Sequence, residues 1–205
     1  LHVVATGSAS LRLGEGARES MAGRFERFVL GHWPLGAYAK TFRLSGPAAA
    51  ETTVRWGTYP GARDLLRDPA RFRAYIRDSI VEPAIGRDIL ILKPVRRPEL
   101  LRQVFGLAAA MPAQVVSVQK LQAALAGRGT IETIAEYLRL LQGAFLVAAL
   151  EKHTSRAIRR RAAPPKIVVL SNALLAAAHP DGHPDRKRDP ERWGRWVENA
   201  CLAHA

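Results

Sequence analysis

The sequence predicts an α/β amino-terminal part followed by a mainly α region with the element order of a winged helix-turn-helix. Three observations carry this. The apolar run Leu1 to Ala5 enters a turn of small residues in the manner of a strand. Residues 99–142 hold three successive segments whose apolar positions recur with helical period. Two short apolar runs, Phe145 to Leu150 and Ile167 to Leu170, then follow with a basic stretch between them. The resulting division is 1–44 for the first part, 45–67 for a linker and 68–205 for the helical region, with the winged unit at about 99–170 and the start of a truncated further domain behind it.

Each element has its own signal. Phe25, Phe28, Val29 and Leu30 predict a second strand ending at Gly31. Ser45-Gly46-Pro47, an Ala run and Trp56-Gly57-Thr58-Tyr59-Pro60-Gly61 read as turn chemistry. Asp68 is placed to cap a helix with Pro69 at its first position and Phe72, Tyr75, Ile76, Ser79 and Ile80 as its inner stripe. Leu100, Leu101, Val104, Phe105 and Ala108 mark the next helix, which Pro112 stops. Val115 to Leu125 reads as a short helix with Val118, Leu121 and Leu125 inward, and Ala126-Gly127-Arg128-Gly129 is the turn after it. The third helix, with Ile131, Ile134, Ala135, Leu138 and Leu141 inward, closes at Gly143, and Thr133 with Glu136 offers a capping box for a shorter start. The stretch from His179 to Asp189 is expected to be a mobile loop. Trp193, Trp196, Val197, Ala200 and Cys201 then stripe a last helix, with Cys201 in the core. Because the chain starts on a strand and stops within a helical pattern, both ends read as fragment boundaries.

Composition narrows the function classes. The 205 residues carry 31 Lys+Arg against 18 Asp+Glu, a net charge of +13, with 48% hydrophobic and 24% charged residues. Such a chain is too apolar and too mixed in sign to be disordered throughout. One cysteine excludes an internal disulfide framework and a cysteine-based zinc site, and fits a reducing, cytoplasmic setting. No run is long and apolar enough for a membrane span. A phosphate-cradling Gly-x-x-x-x-Gly-Lys-Ser/Thr and a Gly-x-Ser-x-Gly elbow are both missing from the sequence. His179 and His183 are four apart, but Pro180 and Gly182 between them exclude a metal-binding helix, and no metal ligand set is expected.

The positive charge is spread along the chain, which favours contact with polyanions such as DNA without naming a groove. Arg156, Arg159, Arg160 and Arg161 fall on the predicted wing and are candidate nucleic-acid-binding residues, with an ordinary solvated loop as the alternative. Against DNA reading, the outer positions of the third helix are Glu132, Glu136 and Arg139, and two carboxylates would repel phosphates. A protein partner or a second copy of the chain is the other kind of partner such a unit takes. Thr6-Gly7-Ser8-Ala9-Ser10, at the carboxyl end of the opening strand, stands where open α/β sheets bind ligands.

Val3 to Ser10, Met21-Ala22-Gly23-Arg24-Phe25 and His32-Trp33-Pro34-Leu35 together resemble the second half of the core of AAA-type ATPases that carry a DUF4143 domain. Downstream, Gly57-Thr58-Tyr59-Pro60-Gly61, Arg87-Asp88-Ile89 and Glu198-Asn199 are similar to motifs of DUF4143 itself, with Thr58 replacing a glycine. The resemblance implies a carboxyl-side remnant of a P-loop ATPase sheet, coupling nucleotide state to a partner, with ATP and Mg²⁺ bound only by an intact parent protein. It also implies Thr6 and Ser8 near the nucleotide's γ-phosphate, with Ser8 and Arg24 as catalytic candidates and Arg24 in the role of an arginine finger.

Overall fold

A computed structural model describes Val4, Glu26, Phe28 and residues 30–90, 93–153, 163–179 and 181–204. After α1 (Leu35–Thr41), Ser45 opens α2 (Gly46–Trp56): its hydroxyl accepts from the Ala48 N–H at 3.4 Å, and Pro47 occupies the first turn, where no N–H is needed. Ser-Gly-Pro is therefore a helix start and the Ala run its body, which corrects the reading of 45–62 as turn. Gly57 ends α2 at φ 68, and a Cβ on it would lie 2.6 Å from Ser171 Oγ and 2.7 Å from Ala173 N. Only glycine meets both demands.

A 3₁₀ helix (Pro60–Arg67) leads into α3 (Pro69–Ile76), where the Asp68 carboxylate accepts from the Arg71 N–H at 3.0 Å as its spacing predicts. Phe72 and Ile76 are buried, but from Arg77 the helix widens into π turns, Arg77–Val81 and Ala84–Ile89. The wider turns move the inner stripe onto Val81, Ile85 and Ile89 and leave Ser79 exposed. Glu82 in this stretch accepts three hydrogen bonds from the Arg102 guanidinium, at 2.9, 3.1 and 3.3 Å, tying it to the following helix.

That helix is α4 (Pro98–Ala110), and then come β1 (Gln114–Val115), α5 (Val118–Ala124), α6 (Ile131–Gly143), β2 (Val147–Leu150) and β3 (Lys166–Val169). Ser117 caps α5 and Thr130 caps α6, the latter accepting from the Thr133 N–H at 3.2 Å, so α6 starts one turn ahead of the Thr133–Glu136 alternative. The strands form one antiparallel sheet in the order β1-β3-β2. α7 (Asn172–Ala178) and α8 (Pro190–Ala203) complete the chain. Leu101 and Val104 of α4, Ile134 and Leu141 of α6, Ile167 and Val169 of β3, and Leu174 and Leu175 of α7 share one core with Trp196 of α8.

The fold is thus an α-rich α/β structure with a small antiparallel sheet. The expected remnant of a P-loop sheet is not among the described residues. Val4, within the predicted opening strand, lies outside any strand and is 88% exposed, and Phe28 and Leu30 are likewise exposed and outside strands. Thr6, Ser8 and Arg24 lie outside the described residues. Cys201 faces solvent rather than core, because the inner face of α8 is Trp196, Asn199 and Ala200. Around the 179–189 stretch, His179 Nε2 lies 3.0 Å from the Ala109 carbonyl, Asp185 accepts from the N–H groups of Lys187 and Arg188, and Arg192 donates to the Gly182 carbonyl.

Two buried amides join these layers. β1 is only two residues long and pairs with Lys166 and Ile167, so it leaves Val169 uncovered on that side. There the Asn199 side chain acts as a strand: it accepts from the Val169 N–H at 2.9 Å and donates to the Val169 carbonyl at 2.8 Å. It also donates to Asn172 Oδ1 at 2.9 Å, and Asn172 in turn donates to the carbonyls of Val54 and Trp196. Removing Asn199 would strand a buried N–H and two acceptors, each costing on the order of 1–3 kcal/mol. Asn199→Ala should therefore lower unfolding free energy in urea by at least about 3 kcal/mol, whereas Cys201→Ala, on the outer face of the same helix, should leave it within about 0.5 kcal/mol.

A half-buried aromatic contact sets a pH dependence. His32 stands edge-on to Tyr59 with ring centres 5.9 Å apart and lies 6.2 Å from His204. Burial, and after it the charge of His204, pushes the His32 imidazole down to about 4 from 6.5. The folded protein then binds that proton less readily than the unfolded chain. The stability this gives is complete above pH 6.5 and is lost as pH falls toward 4. Urea midpoints should decline across that window, and the decline should be shallower in His32→Gln.

Candidate nucleic-acid interface

The turn before α6 is built by backbone that bulky residues avoid: Ala126, Gly127 and Gly129 have φ of 53, 72 and 83. Gly129 seats this turn on α4, since a Cβ there would lie 2.9 Å from Leu100 Cδ2. Gln122 secures it by donating to the Gly129 carbonyl at 2.9 Å. With Ile134, Tyr137, Leu138, Leu140 and Leu141 buried, α6 turns Ile131, Glu132 and Arg139 to solvent, with Ala135 and Glu136 partly covered.

The two carboxylates on this face differ. Glu136 is bonded by Lys93, which comes from the stretch before α4, and forms an ion pair with Arg139 at 2.9 Å. The Lys93 hydrogen bond holds its carboxyl below the usual carboxylate range. Its negative charge is therefore matched by two cations, which removes half of the repulsion that the sequence alone predicts. Glu132 is held low by hydrogen bonds from its own N–H and from the Thr130 hydroxyl, and no cation pairs with it among the described residues.

Further exposed cations flank the start of α4 and the turn before α6. Arg96 and Arg97 follow Lys93 and are exposed, and Arg97 stands at the start of α4, where Leu100 meets the turn before α6. Arg128 is exposed within that turn. None of the three has an acidic partner among the described residues. Lys152 and His153, after β2, are exposed as well. Sequence reasoning missed Lys93 as a neighbour of α6, because the contact that places it spans 43 residues. The one local signal was Arg-Arg directly ahead of the Pro98 that starts α4. Arg156, Arg159, Arg160 and Arg161 lie outside the described residues.

Among the described residues around α6 no group of side chains has the make-up of a reaction centre. A shallow hollow of about 370 Å³ between α4 and α5 is lined by Gln103, Leu107, Leu125 and Arg128 among others, with no base or nucleophile. Among the described residues no group of three or more His, Cys, Asp and Glu is placed to hold a metal ion, and no helix is long and apolar enough to cross a membrane.

The family whose model matches the chain is described as Domain of unknown function (DUF8612), and the match covers residues 48–185, from α2 to the loop before α8. No curated protein and no solved structure gives a significant match. The resemblance to AAA-type ATPases with a DUF4143 domain is thereby corrected: the matching domain is a different one, and the ATP, Mg²⁺ and nucleotide-contact roles lose their support with it. The three downstream motifs behind the resemblance have local structural tasks, while Val3 to Ser10 (Val4 apart) and Met21 to Phe25 lie outside the described residues. Gly57 to Gly61 ends α2 against α7 and starts the 3₁₀ helix, Arg87-Asp88-Ile89 lies within a π turn, and Glu198-Asn199 bonds Lys166 and Val169 of β3.

Proposed function

The chain belongs to the DUF8612 family, and from that premise we propose that residues 98–169 are a winged helix-turn-helix module that binds nucleic acid without catalysing a reaction. The element order helix, strand, helix, helix, strand, strand, with the last strand central in an antiparallel sheet, supports this reading. The observation that carries it is the charge arrangement on α6: Glu136 is neutralised by Lys93 and Arg139, and Arg96, Arg97 and Arg128 are left with no anion to face among the described residues. Cations at the rim of an exposed helix suit a phosphate backbone, which they bind by releasing condensed counterions. Backbone contacts of this kind position a helix for the major groove. The basic residues Arg156, Arg159, Arg160 and Arg161 on the connection between β2 and β3 add to the same side of the balance.

Fluorescence anisotropy with a labelled duplex should show affinity falling steeply as salt rises, with a log–log slope of about −0.9 for each phosphate neutralised. Replacing Arg96, Arg97 and Arg128 by Ala should weaken binding on all sequences and flatten the slope by about one for each phosphate that no longer meets a cation. The Ala variant of Arg159, Arg160 and Arg161 should weaken binding in the same way. Absence of binding at about 50 mM salt, or binding indifferent to salt, would remove this reading and leave a module for protein contacts.

A further inference from the structure

We infer that the Gln142 side chain seals the free edge of the sheet and so keeps the chain from pairing with a second copy of itself through β2. The inference is independent of the partner proposed for α6. A sheet with the strand order β1-β3-β2 has two outer edges, and each turns backbone N–H and C=O groups toward any strand that comes near. On the first edge β1 is two residues long, and beyond it Asn199 takes up both backbone groups of Val169. On the second, β2 pairs with β3 along one side, and no strand among the described residues pairs with its other side.

The sequence makes that second edge hazardous. Residues 145–150 read Phe-Leu-Val-Ala-Ala-Leu, six apolar residues in a row with no charge, proline or glycine. Segments of this composition stack with copies of themselves when an edge is open. Proteins commonly guard an edge with a lysine, a proline or a bulge. β2 has none of these, since its register with β3 runs unbroken from Val147 opposite Val169 to Leu150 opposite Lys166. Phe145 and Leu150, at the two ends of the run, are exposed.

The guard comes instead from α6. Phe145 lies at φ 56, a left-handed conformation that a bulky residue adopts only at a cost. Its N–H donates to the Gln142 carbonyl at 3.0 Å, and this tight turn folds β2 back along the last turn of the helix. Gln142 Oε1 there accepts from the Ala149 N–H at 2.9 Å, on the side of β2 away from β3. The side-chain amide thus holds the place that the carbonyl of an added strand would take. An approaching strand must displace it or leave its own carbonyl unmet, which costs more than a made bond contributes. A second copy is the strand that this edge would otherwise accept. It brings the same uncharged run, so no like charges oppose each other, and a two-fold contact of β2 with β2 closes on itself.

Two substitutions of similar size separate sealing from packing. Gln142→Glu keeps an oxygen for the Ala149 N–H, whereas Gln142→Met keeps the length and the helix preference but removes the acceptor. In sedimentation over a wide range of concentration, the unaltered protein and Gln142→Glu should keep one mass. Gln142→Met should gain mass with concentration, at least to twice that value, and adding Leu150→Lys should abolish the gain by charging the edge. Circular dichroism establishes that each variant is folded. Hydrogen–deuterium exchange of the unaltered protein covers the case in which Gln142→Met does not fold: the Ala149 amide should be protected although it lies on an outer edge. In dilute, folded Gln142→Met that amide should exchange roughly 2- to 13-fold faster. A folded Gln142→Met chain with an unchanged mass at every concentration would overturn the inference. So would association of Gln142→Glu equal to that of Gln142→Met, or an Ala149 amide in the unaltered protein that exchanges as fast as in an unfolded chain.

Discussion

Everything the molecule presents depends on how the unit of 98–169 is held by its flanking helices, and two asparagines do the holding. Asn199 replaces a missing strand beside Val169, and Asn172 extends the network to α2 and to the backbone of α8. Amides are suited to this because each carries donors and an acceptor with the spacing of a peptide group. Burial makes the network demanding: an unmet group in a dry interior costs more than a satisfied one contributes. Beside it, Trp196 Nε1 and Thr53 Oγ1 are buried with no partner among the described residues, so the joint already carries two unmet groups.

The consequence reaches the surface. With α8 packed on β3 and Glu198 bonded to Lys166, that side of the sheet serves the joint. α6 packs on α4, α5 and β2 through its buried arc, and keeps its polar arc open. The stretch 93–97 arrives beside this arc because α4 must begin where the turn at Gly129 rests on Leu100. Lys93 can then reach Glu136, and Arg96 and Arg97 come with it. The charge pattern that suggests a polyanion partner is thus a product of packing, not of a basic run in the sequence.

Local chemistry was legible and long-range chemistry was not. Asp68 and Pro69 announce α3 through capping alone, and the helical periods and the two apolar runs after them locate α4, α6, β2 and β3 to within a residue or two, while α5 starts three residues later than its period suggests because Val115 belongs to β1. Ser45-Gly46-Pro47 misleads because the same residues start turns and helices, and only the register of Ala48 decides between them. The π turns at 77–89 carry no sequence period that differs visibly from an α-helix, so an α-helical period puts Ser79 on the wrong face. β1 is too short to show alternation, and Asn172 and Asn199 look like polar surface until their partners on other elements are known. The family resemblance failed for a related reason. Gly-Thr-Tyr-Pro-Gly, Arg-Asp-Ile and Glu-Asn are short turn, ion-pair and helix–strand bonding chemistry that many folds use.

Hydrogen–deuterium exchange of the whole chain, with and without an excess of duplex DNA, tests the central claim most directly. The account predicts new protection at residues 93–97 and 127–139, with the amides of α8 unchanged. Protection confined to α8 and the 179–189 stretch, or none at concentrations where the DNA is bound, would place the partner on another face and contradict it.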